Sequence, residues 1–128
     1  MSLKNNHARA ISTTLAKIEK DIIEIEMHIR NPPRGRMYEV VDDLSDSRRM
    51  KLLETIALLK VYIQEFANDL NLRTDRTNIS AIIGAKLAID WANSCDIQPE
   101  KLAAYGAVDH EVARVIGPHV QRLMRTLG

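Results

Sequence analysis

Apolar side chains in the first thirty positions recur at intervals of three and four. Ala8, Ile11, Leu15, Ile18, Ile22, Ile25 and Ile29 form an unbroken 3-4-3-4-3-4 seam. That is the spacing of one helix face, not the period-two alternation of a half-buried strand. Lys17, Glu19, Lys20, Asp21, Glu24 and Glu26 lie between the seam positions and keep the other faces wet. The pattern predicts a helix over Asn6–Arg30. Asn31-Pro32-Pro33 stops it, because proline has no N–H to donate and disfavours a helical residue before it.

A second seam, Leu52, Ile56, Leu59, Ile63, Phe66 and Leu70, predicts a helix over Asp46–Leu70. Ser45, Asp46 and Ser47 mark its start, since each can accept a hydrogen bond from a free helix-end N–H. The two helices match in length and seam, so an antiparallel pair is the simplest arrangement. Leu58, Val61 and Tyr62 lie off the main seam and are expected to meet a third helix or a second subunit. Ile79–Ala92 is apolar over most of its circumference, with Ala81, Ala85, Ala88 and Ala92 at helical spacing. A helix of that kind is normally surrounded by others.

Further on, Pro99-Glu100 opens a short helix that Gly106 should stop. Asp109 should cap a last helix with the seam Ala113, Ile116, Val120, Leu123 and Leu127. Pro118 falls inside that seam and should bend or loosen the helix near Arg114. The expected fold is all-α: an up-and-down antiparallel four-helix bundle, with a long first connection and a short extra helix before the last.

That first connection, Asn31–Ser45, is longer than the two to eight residues or so that bundles usually need. It carries Met37, Tyr38, Val40, Val41 and Leu44. It is expected to fold across the open end of the bundle and plug the core. The alternatives are that Met37–Val41 pairs with its twin in a dimer, or that the segment is disordered or a ligand-dependent lid. Arg34, Arg36, Arg48 and Arg49 gather in the same region and could bind an anion through their planar guanidinium groups. Glu39, Asp42, Asp43 and Asp46 lie among them and can neutralise most of that charge.

Composition narrows the function classes. A chain of 128 residues makes one domain over residues 1–128. Eighteen basic and seventeen acidic side chains leave a net +1, and five aromatics offer little for bases to stack on, so nucleic acid is not the expected partner. One cysteine, Cys95, excludes an intrachain disulfide and fits a reducing compartment. No apolar run is long enough for a membrane span and the first residues carry no apolar signal region, so a cytoplasmic protein is expected.

Candidate chemistry is sparse. Helical-bundle dimetal sites use Glu-x-x-His, and none of the four histidines has a glutamate three positions before it. Glu24 and His28, four apart, read as a surface pair. Cys95 has no Cys or His at zinc-ligand spacing and sits at the helix end that does not lower a thiol pKa. No metal and no cofactor is expected, nor any phosphate-loop or nucleophile-elbow motif. His110-Glu111, followed by Val112, Arg114 and Pro118, resembles over nine residues the phosphoacceptor helix of sensor kinases, with the basic and proline positions displaced. That resemblance implies a passive phosphotransfer bundle using His110.

The expected function is non-enzymatic: self-association as a homodimer, or binding of a helical protein partner. Leu58, Val61 and Tyr62, together with Met37, Tyr38 and Val41 from the connection, would supply the surface.

Overall fold

The computed structural model describes residues 3–128; Met1 and Ser2, the start of the stretch read as lacking a signal region, lie outside it. The chain is all-helical, in the order α1 (Asn5–Arg30), α2 (Asp46–Asp69), α3 (Ile79–Cys95), α4 (Pro99–Leu102), a 3₁₀ turn (Ala103–Tyr105) and α5 (His110–Leu127). Among the described residues the only β pairing is an isolated antiparallel bridge between Arg34 and Glu39.

Helix ends follow local chemistry. Ser45 Oγ accepts from Arg48 N at 3.2 Å and starts α2. Asp109 Oδ1 accepts from Glu111 N at 2.8 Å and starts α5. Gly106, at φ 138°, makes the stop after the 3₁₀ turn in a region that side chains avoid. The end of α2 was not anticipated. Asn71 adopts a left-handed φ of 52°, with Asn71 N donating to Asn68 O at 3.1 Å and Leu72 N to Ala67 O at 2.9 Å. This is a Schellman closure with asparagine in the position glycine usually takes. α5 runs unbroken through Gly117-Pro118, where the proline leaves the Arg114 carbonyl without its helical donor.

The chain forms two compact units, Met1–Asp75 and Arg76–Gly128. In the first, Arg49 reaches Ile29 and Lys60 reaches Glu26, so α1 and α2 run antiparallel. Ile22, Ile29 and Ile56 are buried at the centre, with Leu44, Leu52, Leu53, Leu59 and Ile63 packed around them. The two predicted seams therefore meet. Two helices can cover only one stripe of each other, however, and Ile18, Ile25 and Phe66 at the seam edges stay exposed.

In the second unit Gln98 Nε2 meets Met124 Sδ at 3.5 Å, and the Trp91 ring lies against Gly128. The C-terminal ends of α3 and α5 thus cross in opposite directions. Val120 and Ser94 are buried there, Ser94 Oγ bonding back to the Asp90 carbonyl at 2.8 Å. Every residue of α3 from Ile79 to Asn93 is exposed. The most apolar helix of the chain is only partly covered within its own unit: Ile82, Leu87 and Trp91 are each about 40% exposed, and Ile79 and Ile89 more so.

Candidate functional site

The first connection has a definite course. Val40 N donates to Pro33 O at 3.0 Å, and Gly35 N to Tyr38 O, so residues 33–40 turn back on themselves in a small tongue. Beyond it, Leu44 packs on the Ile22–Ile29–Ile56 cluster. Leu44 is thus partly buried against the α1–α2 core. The tip is not: Met37 is 89% exposed, and Tyr38 and Val41 are exposed as well. Within Met37–Val41, Val40 N is the donor used inside the tongue.

Folding back along α1, the segment leaves a groove of 510 Å³. Its floor is apolar, from Ile25 and Ile29 of α1, Leu52 of α2, and Val40, Val41 and Leu44 of the segment. Four carboxylates edge it: Asp21 and Glu24 from α1, Asp42 and Asp43 from the segment. No Lys or Arg lines it. Asp21 pairs with Lys17 at 2.7 Å, and Asp42 with Arg49. The Arg49 hydrogen bond, with a smaller contribution from the Leu44 N–H, holds the Asp42 carboxyl below its ordinary 3.8. Glu24 and Asp43 have no ion-pair partner among the described residues. His28, also in the groove, holds its Nδ1 against the Glu24 backbone carbonyl at 2.8 Å, so the contact between these two residues runs to the main chain and not to the carboxylate.

The arginines of the connection are dispersed by their own contacts. Arg49 Nη1 donates to the Ile29 carbonyl at 2.9 Å while Nη2 holds Asp42, tying α1, the segment and α2 together. Arg34 faces Glu39 at 4.0 Å, Arg36 rests on Met37 Sδ, and Arg48 contributes its backbone N–H to the α2 cap. Cations collect instead at the far end of the hairpin. Arg9, Lys17 and Lys20 of α1 and Arg73 after α2 line a cleft of 480 Å³.

Leu58, Val61 and Tyr62 are all about half exposed on α2. Leu58, Tyr62 and Phe66 lie four apart and make a stripe beside the buried seam, uncovered by their own unit. His110 is exposed as the first residue of α5, directly after its cap. Cys95 is a half-buried free thiol. Among the described residues no three His, Cys, Asp or Glu side chains stand close enough to hold a metal ion. No helix among them is long and apolar enough to cross a membrane.

Sequence reasoning missed the groove. Its signal was present in part: Glu24 and His28 share a face of α1, and Asp42-Asp43 adjoins Val40-Val41. Only the fold-back of the segment brings the two halves together. Comparisons with protein-family models, with curated proteins and with solved structures return no match for this chain.

Proposed function

We propose that this protein is a non-enzymatic helix-association module. The observation that carries the reading is the apolar surface both units leave exposed: Ile79, Ile83 and Ile89 on α3, and the α2 stripe through Tyr62. Exposed apolar surface on this scale marks a site of association. In this reading the two helical hairpins are halves of an up-and-down four-helix bundle forming one domain. The four principal helices and the apolar surface each hairpin leaves exposed support that arrangement. The outer stripe, Leu58, Val61 and Tyr62, with the tongue residues Met37, Tyr38 and Val41, then pairs with a second copy. A standard interface takes about 800 Å² from each partner, and these two regions are suited to supply it.

Light scattering at micromolar concentration tests the proposal. The expected mass is twice the 14.5 kDa of one chain. Tyr62→Asp should return the mass to that of one chain without loss of helical circular dichroism. A wild-type chain that stays monomeric at every concentration contradicts the reading.

A further inference from the structure

We propose that the groove between α1 and the 31–45 segment binds a basic amphipathic helical segment of a partner protein. This inference rests on the groove and not on the α2 stripe, and shares only Val41 with the self-association surface. The groove is open, with a volume of 510 Å³, roomy enough for side chains of a docked segment. Ile25, half exposed, with Leu44 and Leu52 partly exposed beside it and Val41 on the segment, offers apolar contacts for the stripe of a docking helix.

Charge sets the chemistry of the occupant. Asp21 and Asp42 are already engaged by Lys17 and Arg49. The two carboxylates without partners come from the two elements that frame the groove, Glu24 from α1 and Asp43 from the segment. A helix whose apolar stripe is flanked on both sides by Lys or Arg satisfies both while filling the floor. An acidic or phosphorylated ligand meets the unpaired Glu24 and Asp43 and no lining cation, so it is disfavoured.

The test uses the full chain and a fluorescein-labelled helical peptide of leucine and lysine, with leucines at i, i+3, i+4 and i+7. Fluorescence anisotropy should report saturable binding that weakens as salt rises. Glu24→Lys combined with Asp43→Lys should weaken it about tenfold or more, since both charges face the bound cations. Glu65→Lys, the same reversal on α2 away from the groove, should leave affinity within about twofold. Circular dichroism checks that each variant folds. Equal binding of a leucine–glutamate peptide, or an unchanged affinity in the groove double variant, overturns the proposal.

Discussion

At Asn71 a single dihedral decides how α2 ends. The left-handed backbone costs an L side chain with a Cβ about 1–2 kcal/mol, and asparagine tolerates it better than most. Asn71→Ala should therefore lower the stability of the α1–α2 unit by about 1 kcal/mol in urea unfolding, while Asn71→Gly should not lower it. Glu26 is the second decisive residue. Lys60 donates to its carboxylate at 2.8 Å across the hairpin, and Arg30 lies 3.6 Å away on the same helix. The Lys60 hydrogen bond, ahead of the charges of Lys60 and Arg30, lowers the Glu26 pKa from its ordinary 4.5. A carboxylate whose folded pKa is depressed stabilises the fold above its unfolded pKa, and that contribution is lost as pH falls through the folded value. Stability should fall as pH drops below about 4.5, and Glu26→Gln should flatten that limb of the pH profile. Residue pairs such as Arg49 with Ile29, twenty positions apart, were not legible in the sequence. Periodicity says which face a residue occupies and nothing about which carbonyl its side chain reaches.

At the scale of elements the sequence was informative. The two long helices match their expected bounds within a residue, because 3-4 spacing, Ser45, Asp109, Pro32 and Gly106 act within one turn of where they stand. Burial along each seam was less readable. Ile22 sits at 5% exposure, whereas Ile63, equally central in its pattern, is only half-buried. Ile22→Ala should cost about 2–5 kcal/mol and Ile63→Ala about 2 kcal/mol or less, measured by denaturant unfolding. The difference comes from pairing. A hairpin gives each helix one neighbour, so seam residues facing toward α2 or away from it share a period but not a contact. The groove was illegible for a related reason, since it exists only where the 31–45 segment doubles back along α1.

For the whole molecule, the central claim is that helices bare within their own unit are covered in solution by other helices. α3 carries that claim most heavily. An isolated apolar helix of its 17 residues is marginal in water, because little of its stability comes from intrinsic propensity. Amide hydrogen exchange across α3 is the measurement that bears on this most directly. Amides from Ile83 to Trp91 should exchange as slowly as those in the middle of α1. Exchange there at the rate of an open peptide, while α1 remains protected, contradicts it.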